Sequence, residues 1–107
     1  MTSLTYLESA DPNTVISIGF SAGGHFSHIL NIIHSATIQG VGNMQGAYYL
    51  IEDSFDSDLT AEELKTNSVA QIDSYAASGD IDATSNIANN AVYVYSGSSD
   101  NVVPTKN

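Results

Sequence analysis

The 107-residue chain contains no cysteine and only two basic residues, Lys65 and Lys106, against twelve acidic ones. Without cysteine there are no disulfides and no thiolate chemistry, and the redox compartment stays undecided. The formal charge of −10 argues against nucleic acid as a partner, because binding to phosphates is driven by basic side chains. An anionic membrane surface is disfavoured for the same reason. No run approaches the roughly 20 apolar residues of a membrane span, so no membrane partner is expected. The first twenty residues lack a basic start followed by an apolar stretch, so no export signal is visible. There is no Asn-x-Ser/Thr acceptor, internal repeat or low-complexity tract. What is present is a composition 42% hydrophobic, that of a globular fold with a modest core and a solvated acidic surface. A neutral substrate suits it better than an anionic one.

Along the chain, strand and helix patterns alternate. Residues 1–10 suggest the tail of a helix. "DPN" at 11–13 predicts a turn, because Pro12 fixes its own φ and keeps Asp11 out of a helix. Thr14–Phe20 predicts a strand, and its valine and two isoleucines imply burial on both faces, as in a parallel sheet. From Ala22 to about Ser35 the period changes, and Phe26, Ile29, Leu30 and Ile33 make one apolar helical stripe. Thr37–Leu50 predicts a second, glycine-rich strand, followed by an acidic loop over 51–59. "TAEE" at 60–63 is a capping box, in which Thr60 accepts from the Glu63 amide while Glu63 reaches back. Leu64, Val69, Ile72 and Ala76 continue that helix, with Gly79 as its stop. Residues 80–90 predict a loop, and Ala91–Ser96 a third strand. The order strand, helix, strand, helix, strand predicts an α/β fold with a parallel sheet and helical crossovers. No domain boundary is visible within residues 1–107. Three strands leave open edges, so the sheet is expected to be incomplete, its remaining strands supplied by a longer chain.

Gly19-Phe20-Ser21-Ala22-Gly23 matches G-x-S-x-G. In that pattern a serine sits on a tight strand-to-helix turn, its hydroxyl projecting above the sheet. Side chains at 19 or 23 are expected to crowd the turn. The Ala22 N–H at the helix start can face a developing oxyanion, and one such donor is typically worth about 3 to 4 kcal/mol. A serine nucleophile needs a base, oriented in turn by a carboxylate. Asp100, just beyond the third strand, is the carboxylate candidate, because active sites assemble at the carboxyl edge of a parallel sheet. Asp80 and Asp82 precede that strand and belong at the opposite edge. His25, His28 and His34 all precede Asp100, whereas this architecture orders its residues Ser, Asp or Glu, then His. These histidines are read as surface or packing residues. His25 and His28 lack a nearby third ligand, so no metal is assigned. "GVGNMQG" at 40–46 has the wrong spacing for a phosphate loop and precedes no helix. "DSFDSD" at 53–58 lacks the glycine and glutamate of a calcium loop and is read as solvated acidic surface.

"DPNTVISIGFSAGGHFSHIL", "GVGNMQGAYY" and "YAASGDIDATSNIANNAVYVYSGSSDNVVP" together resemble the catalytic domain of secreted poly(3-hydroxybutyrate) depolymerases. These belong to a wider group of α/β-hydrolase esterases that includes feruloyl and acetylxylan esterases. The resemblance spans about Asp11 to Pro104. It implies a partial α/β-hydrolase fold and a serine esterase acting on a polyester or another ester through an acyl-enzyme, with no cofactor. It makes Ser21 the nucleophile, Asp100 the triad aspartate and the Ala22 amide one arm of the oxyanion hole. Tyr48 and Tyr49 fall where the family carries residues near the substrate groove. The family's catalytic histidine follows the aspartate after one more strand, so the chain resembles a central slice of the domain, inactive alone. Extracellular localisation is implied for the full-length protein. The alternatives are a plant-wall esterase, or a non-catalytic module that uses the half-sheet for binding or pairing.

Overall fold

The computed structural model describes residues 11–47, 49 and 58–103. Asp11 opens with a turn, its carboxylate accepting from the Asn13 amide at 2.8 Å and its carbonyl from the Thr14 amide at 3.1 Å. Strand β1 (Val15–Phe20) follows and leads without a linker into helix α1 (Ala22–Ile33). Strand β2 (Ile38–Met44), helix α2 (Ala61–Ser78), a 3-10 helix (Thr84–Asn89) and strand β3 (Ala91–Tyr95) complete the described order. The fold is α/β, with three parallel strands in the order β1-β2-β3.

Stepping in one direction across the sheet has a consequence. Parallel crossovers are right-handed in the great majority of proteins, so successive ones place their helices on the same face. Accordingly, His28 and Ile32 of α1, Leu64 and Ile72 of α2, and Val92 of β3 line one shared cavity. The other face carries Ile16, Ile18 and Phe20 of β1, in register with Gly40, Gly42 and Met44 of β2 and with Ala91, Tyr93 and Tyr95 of β3. That face is open: Ile18 and Tyr93 are each 62% exposed. The sequence pattern predicts burial on both faces of β1. Only the helix side is covered among the described residues. The isoleucines instead lean across the glycines of β2, where a Cβ on Gly42 would stand 3.0 Å from Ile18 Cγ2.

Several predicted boundaries move, each for a local reason. The second strand stops at Met44 rather than continuing to residue 50. Asn43 ends it by accepting from the Gly46 amide at 2.9 Å and donating to the Gly46 carbonyl at 3.3 Å, a local alternative to the ladder. Residues 80–90 are not all loop, since 84–89 wind into a 3-10 turn. The capping box of α2 is present in both directions, and the helix ends where Gly79 takes φ 81. The apolar stripe expected on α1 does not face the sheet. Phe26 is exposed, and the buried positions are Gly24, His25, Ser27, Asn31 and Ile32. Residues 1–10 and 51–57, and with them the expected helix tail and most of the acidic loop, lie outside the described residues.

The buried face of α1 is thus largely polar, and its Ser27 and Asn31 side chains are paired across to other segments. Ser17 of β1 donates to Ser27 at 2.8 Å. Asn90, just ahead of β3, donates to Asn31 Oδ1 at 2.9 Å and to the Ser35 carbonyl at 3.2 Å, tying the third strand to the first helix. Removing a donor from buried acceptors costs their desolvation, about 1 to 3 kcal/mol. Asn90→Ala is therefore expected to lower the unfolding free energy by about 2 kcal/mol in urea titration. An unchanged midpoint would show that water replaces the donor without cost.

Candidate functional site

The carboxyl ends of all three strands meet at one level. The Ser21 amide donates to the Met44 carbonyl at 2.8 Å, and the Gln45 amide to the Tyr95 carbonyl at 2.8 Å. These bonds extend the two ladders by one residue beyond Phe20↔Met44 and Met44↔Tyr95. Ser21 and the loop leading to Asp100 therefore share one edge, with β2 between them. With strands about 4.8 Å apart, two steps place their strand ends about 10 Å apart.

Ser21 holds φ 54 and ψ −122, a conformation that L residues rarely adopt. It stands at the N-cap of α1, where a serine ordinarily accepts from an amide of the first turn. Here the side chain makes no capping bond. The residue is exposed, and its carbonyl receives the His25 amide at 3.0 Å, the first bond of the helix. The Ala22 N–H is one of the amides a helix start leaves without an intrahelical acceptor. Sterics fix the turn, although not as the motif predicts. A Cβ on Gly19 would lie 2.0 Å from the Gly23 carbonyl oxygen. Gly23 has open space around its missing side chain, so the expected crowding there does not occur. The second crowded glycine is Gly24, where a Cβ would meet Asn43 Oδ1 at 2.5 Å.

Asp100 sits in a tight loop. Its Oδ1 accepts from the Val102 amide at 2.7 Å and the Val103 amide at 3.0 Å, and its own amide donates to the Gly97 carbonyl at 3.1 Å. Its Oδ2 accepts from Gln45 Nε2. The Val103 amide and then the Val102 amide hold the carboxyl below the usual aspartate range against the opposing effect of burial, with the smallest contribution from Gln45. Asp100 is thus kept as an anion. Asp82 accepts from the Ala36 amide at 3.0 Å, ahead of β2 and so at the opposite edge.

The histidines lie elsewhere. His25 is buried, and its Nδ1 lies 3.0 Å from the Ala47 carbonyl, which ties the ring to the loop after β2. His28 is half-buried along α1 and lines the interhelical cavity, whose volume is about 530 Å³. His34 is exposed at the far end of α1. Two are therefore packing residues and one is a surface residue. Tyr49 lines the same cavity, and burial, followed by Tyr75, pushes its phenol up. Tyr48 lies outside the described residues. Among the described residues no three His, Cys, Asp or Glu side chains cluster as a metal site would require, and no helix is long and apolar enough to cross a membrane.

The sequence reading did not single out Gln45 or Asn43. The Asn43-Met44-Gln45-Gly46 run carried a signal, because an asparagine with a glycine shortly after it favours a turn bonded by its own side chain. Comparison with protein-family models, with curated proteins and with solved structures yields no match for the chain. What this edge can do rests on its own chemistry.

The Ser21 backbone and the half-buried His28 imidazole both bear on stability. Strain of the Ser21 kind costs about 1 to 3 kcal/mol, and glycine escapes it at an entropic cost of up to about 1 kcal/mol. Ser21→Gly should raise the unfolding free energy by about 1 kcal/mol, and a loss in urea titration would mean that the turn stores no strain. Burial first, and His25 second, lower His28 from 6.5 to about 4. The unfolded chain then binds a proton near pH 6.5 while the folded chain does not until about pH 4. Stability is full above that window and falls by about 3 kcal/mol as pH drops through it. Urea midpoints should fall between pH 6.5 and 4, and His28→Leu should flatten the fall. An equal fall in the variant would assign the proton to another group.

Proposed function

We propose that the chain carries the nucleophile and the orienting carboxylate of an α/β-hydrolase-type serine esterase acting on a polyester of the poly(3-hydroxybutyrate) class. The observation that carries this reading is the state of Ser21. It adopts a strained backbone at the carboxyl edge of a parallel sheet, with a hydroxyl that caps nothing. A serine that served only the helix would adopt extended dihedrals and accept from the first turn. Support also comes from Asp100, held anionic on the same edge.

In this reading Ser21 Oγ attacks the ester carbonyl. An imidazole between Ser21 and Asp100 takes the hydroxyl proton and gives it to the leaving alkoxide. The Ala22 N–H stabilises the tetrahedral oxyanion as one arm of the hole. Collapse leaves an acyl-enzyme, which water hydrolyses with the same imidazole as base. The His25 ring is held on the Ala47 carbonyl, His28 lines the interhelical cavity and His34 lies at the far end of α1, so this reading assigns the base to none of the three. Feruloyl or acetyl esters are the alternative substrates, distinguished from hydroxybutyrate oligomers by direct comparison once the base is supplied.

A second reading has an observation of its own. The open face of Ile16, Ile18, Phe20, Tyr93 and Tyr95 suits a non-catalytic module that pairs through the sheet. A pairing module has no use for strain at Ser21 or for a tethered anion across the edge, which favours the esterase.

Without a base, hydrolysis should be about 10⁶-fold below that of a complete triad. Added imidazole should restore part of it. A fluorophosphonate should label Ser21 faster with imidazole than without, and Ser21→Ala should abolish the labelling, read by mass spectrometry. Labelling of the alanine variant at the rate of the parent chain would exclude Ser21 as nucleophile.

A further inference from the structure

Gln45 is the first residue beyond the central strand, between the strand that ends at Ser21 and the strand that leads to Asp100. It holds φ 55, the left-handed region that a residue with a side chain normally avoids. Its backbone amide is fixed on the Tyr95 carbonyl at 2.8 Å. That anchoring sends the side chain across the start of the third loop. There its Oε1 accepts from the Gly97 amide and its Nε2 donates to Asp100 Oδ2.

The two ends of the amide perform different tasks. The acceptor grips the loop backbone and the donor grips the carboxylate, so the pair fixes both the position and the rotation of Asp100. A carboxylate has about four acceptor directions. The Val102 and Val103 amides take Oδ1, and Gln45 takes one direction on Oδ2. One direction on Oδ2 is left for a further N–H donor. Asparagine is one methylene too short for this bridge, glutamate offers no donor, and methionine matches the length without either bond.

We propose that Gln45 is a positioning residue, which holds the Asp100 carboxylate at the carboxyl edge with one oxygen direction free for the N–H of a catalytic imidazole. This rests on the esterase reading of Ser21 and Asp100. Gln45 touches neither substrate nor the reacting atoms and acts only through the aspartate.

The neighbours that lower the titration of Asp100 are amides, first those of Val103 and Val102 in its own loop and last that of Gln45 at the end of β2. Its shift carries no contribution from an ionisable side chain. This makes a substitution readable by NMR of the full chain, with the Asp100 carboxyl carbon and the Gly97 amide as probes. In Gln45→Met both bonds are lost, so the Asp100 titration should move up and the Gly97 amide proton should move upfield. In Gln45→Glu the Gly97 bond can persist, but two carboxylates then face each other and share a proton. The Asp100 titration should rise further than in Gln45→Met while the Gly97 amide keeps its shift.

The functional arm is the rate of fluorophosphonate labelling of Ser21 with added imidazole, measured across pH. Both substitutions should slow it by roughly 10- to 100-fold, and Gln45→Glu should recover most of its loss only above the raised titration. If Asp100 and Gly97 keep their parent signals in both variants, Gln45 holds neither and the proposal fails. If Ser21 reacts and both variants match the parent rate at every pH, the contact exists but positions nothing. If the parent Ser21 is inert while the NMR signals move as expected, the esterase reading falls, and the catalytic purpose of Gln45 falls with it.

Discussion

The close approach of the start of α1 to the end of β1 governs the architecture. The chain passes from strand to helix across Ser21 alone, so the first turn of the helix must lie almost on the strand. A Cβ on Gly19 would be 2.0 Å from the Gly23 carbonyl oxygen, and the Ser21 backbone takes up φ 54 to complete the reversal. Gly24 extends the contact to Asn43 on the central strand. Once these glycines touch, the rotation of α1 about its axis is set. Positions 24, 27 and 31 face the sheet, and Phe26 turns to solvent. The polar pairs beneath the helix, Ser17 with Ser27 and Asn31 with Asn90, follow from that rotation.

The same geometry separates the two faces of the sheet. Helices cover the side of Ser17 and Val41, while Ile16, Ile18 and Phe20 stand open beside Tyr93 and Tyr95, and β3 is exposed along its whole length. Within β2 the glycines let the isoleucines lie flat, which hides Gly40 and Gly42 without hiding the isoleucines. The strands run parallel, so their carboxyl ends converge on one edge whichever face is covered. The placement of Ser21 and Asp100 therefore depends on the ladders and the glycine contact, not on the open face.

Much of this was legible in the sequence because it is local. The G-x-S-x-G run between an apolar stretch and a helical pattern specifies the turn at Ser21, and Thr60 with Glu63 specifies the start of α2. Asp100 could be placed from topology alone, since a residue just beyond a parallel strand must reach the carboxyl edge. What escaped is what depends on contacts between distant segments. Periodicity gave α1 an apolar stripe, but a close backbone contact decided which side faces inward. The strand end at Met44 was masked by the apolar residues beyond it, although Asn43 carries the bonds that stop the ladder. Gln45 and Asp100 are 55 residues apart, and nothing in either neighbourhood marks the other.

Two strand steps separate the ends of β1 and β3 by about 10 Å. An imidazole with a hydrogen bond at each end spans only about 8 Å. The carboxylate of a serine esterase built on these strands must therefore lean back over the central one. Loop backbone alone does not ensure this, because the Val102 and Val103 amides fix one carboxylate oxygen and leave the other free to swing. A donor rooted on β2 is the element that draws Oδ2 inward. Gln45 is the residue rooted there, and its left-handed backbone points its side chain along the edge instead of continuing the ladder. On the esterase reading, the strain at Ser21 and the left-handed turn at Gln45 serve one requirement from adjacent strands: each lifts a side chain out of the pleat and over the same edge.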